Sequence, residues 1–79
     1  MIIIEFEKTY SDGHSVRLEF QASNVAYVHI DNNHAGSVQL CAEHDDYDNY
    51  ADRIYAGKFN GNIIAVLLKS NTFLTNMYP

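Results

Sequence analysis

The stretch Glu43–Lys58, EHDDYDNYADRIYAGK, decides how this chain is read. Five of the ten acidic residues lie in it: Glu43, Asp45, Asp46, Asp48 and Asp52. Tyrosines and an isoleucine are threaded through the acids. On a helix advancing about 100° per residue from Asp45, the residues Tyr47, Tyr50, Ala51 and Ile54 fall between about 140° and 240°. Asp45, Asp48, Asn49 and Asp52 fall between about −60° and 40°, almost opposite. That phase separation predicts an amphipathic helix, held on a sheet by its apolar side and acidic on its outer side. Tyr55 lies at one border beside Asp48, and Asp46 at the other beside Arg53. Asp45 suits an N-cap, Asp46 and Asp48 suit the first turn, and Gly57 suits a C-terminal stop with Lys58 after it.

Outside this stretch the chain reads as strand. In residues 2–10, Ile2, Ile4 and Phe6 alternate with Ile3, Glu5 and Glu7. Ser11-Asp12-Gly13 is a turn signal. In residues 14–22, Val16, Leu18 and Phe20 point inward, and Ser15, Arg17, Glu19 and Gln21 outward. The two segments form a hairpin with one wet face, on which Arg17 can meet Glu5 or Glu7. A third strand over 25–31 sets Ala26, Val28 and Ile30 against Tyr27 and His29. Asp31–Gly36 (DNNHAG) is a turn cluster, and 37–42 is a fourth strand with Val38 and Leu40 inward. After Asn60-Gly61-Asn62, the apolar run Ile63–Leu68 suits a central strand covered on both sides, or on one side plus a helix flank. The segment Ser70–Pro79 is a short edge strand or a flap over the open end of the core. The order β-β-β-β-α-β predicts an α+β fold: a small antiparallel sheet of about five strands, with one amphipathic helix on one face. Residues 1–79 make a single domain.

A chain of 79 residues buries about 60% of its unfolded surface, enough for one modest core. A deep substrate cleft would consume much of that core, so the expectation is a protein that is not an enzyme. The net charge of −5 disfavours direct contact with nucleic acid and favours a basic protein partner. Cys41, the single cysteine, rules out an internal disulfide framework and suits a reducing cytoplasm. Met1–Ile4 lacks the cationic start of a secretory signal, and Ile63–Leu68 is too short to span a bilayer, so no membrane association is expected.

Other constellations carry little. Cys41-x2-His44 with His34 or His29 offers one thiol and no regular ligand spacing, so no metal is expected. Ser11, Asp12 and His14 hold the letters of a hydrolytic triad within four residues of a turn, without its geometry. Glu5, Glu7 and Glu19 on an open sheet face remain ordinary solvated carboxylates. No Gly-rich phosphate loop is present, so no cofactor is expected. Of the six tyrosines, Tyr47 and Tyr50 are assigned to the core, and Tyr27 and Tyr55 to partner contact.

The acidic run from Glu43 to Asp52 spans roughly 14 Å if helical, about one charge per 3 Å. A nucleic-acid strand carries one per roughly 3.4 Å. With its small size, its SDG and DNNHAG hairpins and the segment HDDYDNYADRIY beside a sheet, the chain resembles the small acidic inhibitors encoded by bacteriophages, anti-CRISPR proteins among them. The resemblance implies a protein, acting in the host cytoplasm, that blocks a nucleic-acid-binding complex by occupying its cationic surface. Asp45, Asp46, Asp48 and Asp52 would be the contacts, flanked by Glu43 and Tyr55. The alternative is a homo-oligomeric interaction module or an antitoxin- or immunity-type partner, using its sheet edge or the segment TFLTNMYP.

Overall fold

The structure is a computed structural model that describes residues 4–20, 24–42, 54–68 and 70–78. Strands β1 (Ile4–Thr9), β2 (Ser15–Phe20), β3 (Val25–Ile30) and β4 (Asn33–Gln39) form one antiparallel sheet in that order. Strands β5 (Cys41–Ala42), β6 (Ile54–Phe59), β7 (Asn62–Leu67) and β8 (Thr72–Thr75) form a second. Among the described residues there is no helix, and the expected α+β fold is corrected to an all-β one.

The last part of the expected helix, Ile54–Lys58, is strand β6. The cause is the dipeptide after it. Asn60 and Gly61 both take positive φ, 51° and 82°, and form the two-residue loop of a tight hairpin. This turn matches strand twist and locks the register Phe59↔Asn62 through Ile54↔Leu67. Six ladder positions and two flanking strands outweigh a helical turn that would need its own packing surface. Gly57 is therefore no helix stop. A Cβ built on it would lie 2.2 Å from the Gln39 carbonyl oxygen and 3.0 Å from Val38 Cγ2. The position lets β6 run against the backbone of β4, where the two sheets join. The other seam is formed by β1 and β8.

Phe6, Val16, Leu18, Ala26, Val28 and Val38 of the first sheet face Tyr55, Phe59, Ile64 and Val66 of the second across one core. Leu40, wholly buried, fills the corner where β4 passes into β5, and its amide donates to the Asn24 carbonyl at 2.6 Å. Phe6 and Phe73 bridge the sheets with centroids 6.0 Å apart. The inward set expected for the first four strands is largely this one. β4 begins earlier than expected because Asp31 and Asn32, with φ of 52° and 68°, make the whole turn themselves. The sheet accommodates the extra length with a bulge opposite Val28 and His29.

β7 is an interior strand as expected, but of the second sheet rather than inserted among the first four. Ile64, Ala65 and Val66 are buried, whereas Ile63 is half exposed. The segment after Ser70 combines both readings offered for it: β8 is an edge strand, and Met77 and Tyr78 pack against the core beyond it.

Candidate functional site

Glu43, Asp45, Asp46, Asp48 and Asp52 lie outside the described residues, as do Tyr47 and Tyr50. The ends of their segment are placed. Ala42 and Tyr55 pair as partners of β5 and β6, so the chain leaves and re-enters the second sheet at adjacent strands. Tyr55 itself, expected as a flanking contact, is only 8% exposed and belongs to the core. Its inward position follows from strand alternation: in β6, Tyr55 and Phe59 point in and Ile54 points out.

The outer face of the first sheet carries two polar rows fixed by register. One runs Glu5–Glu19–Tyr27–Ser37, the other Glu7–Arg17–His29–His34. Glu19 is the hub. Its Oε1 accepts from Arg17 Nη1 at 2.5 Å and lies 2.8 Å from His29 Nε2. Arg17 also approaches Glu5, at 3.8 Å, as cross-strand reasoning anticipated for that pair. The His34 ring sits edge-on to His29 at 5.4 Å and tilted against Tyr27 at 6.1 Å. Tyr27 is 41% exposed, in the outward place expected of it. Sequence reasoning placed Glu5, Glu7, Arg17, Glu19, Tyr27 and His29 on outer faces, but it read His34 as part of a turn and missed that Arg17 and His29 converge on a single carboxylate. The signal was the register, which a hairpin loop of known length determines.

At one end of the sandwich, His14 does not act with Ser11 and Asp12. Asp12 Oδ1 accepts the backbone N–H of His14 at 3.0 Å, an ordinary turn contact. The ring Nδ1 of His14 instead meets Asp31 Oδ2 at 2.8 Å, and Asp31 Oδ1 accepts the Ser15 N–H at 3.0 Å. The hydrogen bond that His14 donates to the Asp31 carboxylate raises the His14 pKa above its usual value. The Ser15 amide, then His14, lower that of Asp31. The face of His14 stacks on Tyr78 at 4.4 Å, and Tyr78 meets Tyr10 edge-on at 5.1 Å. Tyr10 donates its hydroxyl to the Thr75 carbonyl at 3.1 Å. An open depression of about 410 Å³ lies beside this clasp, lined by Asp12, His14, Asp31 and Asn32 among others. The geometry fastens the end of the chain to the first hairpin. It leaves no hydroxyl or thiol aligned on the imidazole among the described contacts.

The outer face of the second sheet differs. Its register sets Cys41, Ala56, Ala65 and Leu74 in one row across all four strands. Ile54, Leu67 and Thr72 form the row on one side, and Lys58 and Ile63 the row on the other. Ile54, Ile63 and Leu74 are 44%, 50% and 58% exposed. Cys41 is exposed as well and is a free thiol. Among the described residues, no group of three His, Cys, Asp or Glu side chains is arranged to hold a metal ion. Among them also, no helix is long and apolar enough to cross a membrane.

Comparisons with protein-family models, with curated proteins and with solved structures found no match to this chain.

Proposed function

We propose that this chain is a non-enzymatic binding protein that presents carboxylates to a basic surface of a larger partner, such as a nucleic-acid-binding groove, and inhibits by occupying it. One observation carries the reading. All ten acidic residues precede Ile54, and five of them fall between Glu43 and Asp52. Only Lys58 and Lys69 are charged beyond that point, so the charge is strongly uneven along the sequence. The acidic segment starts and ends on paired strands, at Ala42 and Tyr55, which supports its presentation from a fixed base. Glu43, Asp45, Asp46, Asp48 and Asp52 are the contact residues in this proposal. Tyr55, buried in the core, is not one of them.

The mechanism is competition. Carboxylates accept charge-assisted hydrogen bonds from the Arg and Lys side chains that otherwise grip phosphates. Long-range attraction speeds the encounter, and salt screens it. The exposed thiol of Cys41 and the absence of a second cysteine fit a reducing cytoplasm as the place of action. The phage-inhibitor resemblance supplies the class of partner, a CRISPR effector or a similar nucleic-acid-binding complex.

The test is a binding titration against such a complex at rising ionic strength, with the triple variant Asp45→Lys, Asp48→Lys, Asp52→Lys beside the parent. Affinity should fall at least tenfold from low to high salt, and the triple variant should not bind. Salt-independent binding, or full inhibition by the triple variant, would remove the proposal.

A further inference from the structure

We propose that the outer face of the second sheet is a self-association surface whose occupant is the same face of a second copy of this chain. The inference rests on shape, charge and area, and stands apart from the acidic reading.

Shape comes from the register. The row Cys41–Ala56–Ala65 is made of small residues, and it lies between Ile54 and Leu67 on one side and Ile63 on the other. Small side chains between large ones leave a furrow. Leu74, the most exposed large apolar residue, stands at the end of that row. With Ile63, Ala65, Thr75 and Asn76 it borders a shallow depression of about 290 Å³. The face thus offers both a ridge and a furrow. Under a two-fold axis, Leu74 of each copy fits the furrow of the other, which is the self-complementarity an isologous interface requires.

Charge selects the partner. Two copies of a chain with net charge −5 repel one another. The sequence from Ile54 onward holds no acid at all. Glu5, Glu7 and Glu19 lie on the outer face of the other sheet. Pairing through the second sheets therefore holds those carboxylates on the two far sides of the dimer. Among the described residues, a strongly charged partner finds only Lys58 to pair with on this face.

Area sets the strength. The four strands hold two, six, six and four residues; at about 3.3 Å per residue and about 4.8 Å between strands they give a flat footprint of roughly 300 Å². That is the lower end of the about 300–600 Å² of the largest apolar patch on a typical monomer, a patch that is often functional. It is below the roughly 800 Å² per partner of a standard stable interface. The dimer is accordingly weak and forms with rising concentration.

Sedimentation equilibrium of the full chain from micromolar to millimolar concentration tests this. The weight-average mass should climb from that of the 9.0 kDa chain towards twice that value. Ile63→Thr and Leu74→Gln should each weaken association at least tenfold, and Tyr27→Thr on the opposite face should leave it unchanged. Amide shifts that change on dilution should map to β6–β8, and the same spectra report whether each variant is folded. Association should persist in high salt, whereas the acidic contact should not, so the two readings fail separately. A monomer at every concentration overturns the proposal, whether residues 43–53 of the same chain or a different partner cover the face. So does a dimer that ignores Ile63→Thr and Leu74→Gln, or one whose shifts map to the first sheet.

Discussion

The two sheets present opposite outer faces from nearly the same inner design. Inside, both alternate large apolar residues into one core: Val16, Leu18 and Val28 from the first, Ile64, Val66 and Phe59 from the second. Outside, the first sheet carries Glu5, Glu7, Arg17, Glu19, His29 and His34, most of them in mutual contact. The second carries Ile54, Ile63, Leu67 and Leu74 around small residues. Inward alternation makes the fold in both cases. What differs is the solvent for which each outer face is built. The first satisfies its polar groups within itself and needs only water beyond. The second leaves apolar area that gains from a further layer.

The seam between the sheets is the place where that comparison breaks most severely. Gly57→Val would set a branched side chain against the Gln39 carbonyl, already 2.2 Å from where a Cβ would stand. Backbone cannot yield as a side-chain end can. The sheets would have to separate along β4 and β6, at a cost of about 3 kcal/mol or more. Urea denaturation should show a protein that is unfolded or strongly shifted in midpoint. A variant within about 0.5 kcal/mol of the parent would mean that the two backbones do not approach this closely.

A smaller effect separates the outer faces themselves. Glu19→Ala leaves Arg17 and His29 without their shared acceptor on a face where all three side chains are mostly covered. The expected loss is about 1 kcal/mol at neutral pH. Ile63→Thr at low protein concentration removes apolar area that was already half in water and keeps a strand-forming residue. It should cost less than about 0.5 kcal/mol. Chemical denaturation of both variants in dilute solution measures the gap. If Ile63→Thr proves the costlier of the two, the second sheet's outer face is covered within the monomer.

How much of this was legible depended on which turns were read as hairpin loops. Val16, Leu18 and Phe20 alternate with charged neighbours and follow Ser11-Asp12-Gly13, so period and turn agree, and the first hairpin was readable in advance. Ile54, Tyr55 and Ala56 are ambiguous, because three apolar residues in a row satisfy a helical stripe as well as a strand. Gly57 then supported the wrong reading, since a glycine ends helices as readily as it admits a close backbone. The arbiter was Asn60-Gly61, a two-residue loop signal flanked by Phe59 and Ile63. Read only as a break after a helix, it concealed β6 and with it the grouping of β5–β8 into a sheet of their own. The apolar character of both faces of Ile63–Leu68 was visible. It was assigned to burial, whereas half of it is an outer face. Such a distinction rests on which element covers a strand, and no local pattern encodes that. The acidic residues 43–52 were legible as composition, and their places lie outside the described residues.

The mildest effect is the fastening of the segment beyond β8 to the first sheet, where His14, paired with Asp31, stacks its ring on Tyr78. The His14 pKa is raised above its usual 6.5 by its hydrogen bond with Asp31 and the nearby carboxylates. Its contribution is therefore complete below pH 6.5 and is lost as pH rises through the higher folded value. The Asp31 pKa is lowered from 3.8, so its contribution is present above that pH and is lost as acid brings pH down through the folded value. The clasp is strongest between those limits. Because the pair is largely solvent-exposed, its effect is screened and should appear first as local opening, not as global unfolding. Protection against amide exchange at Met77 and Tyr78, taken relative to the free-chain rate at each pH, and the ring shifts that Tyr78 receives from His14 should both decrease as pH rises from about 6 to about 8. His14→Gln should abolish that pH dependence while leaving exchange in β7 as it was. If protection at Tyr78 follows the same pH profile in the variant, the edge-on contact of Tyr78 with Tyr10 holds the end by itself, and the imidazole only covers it.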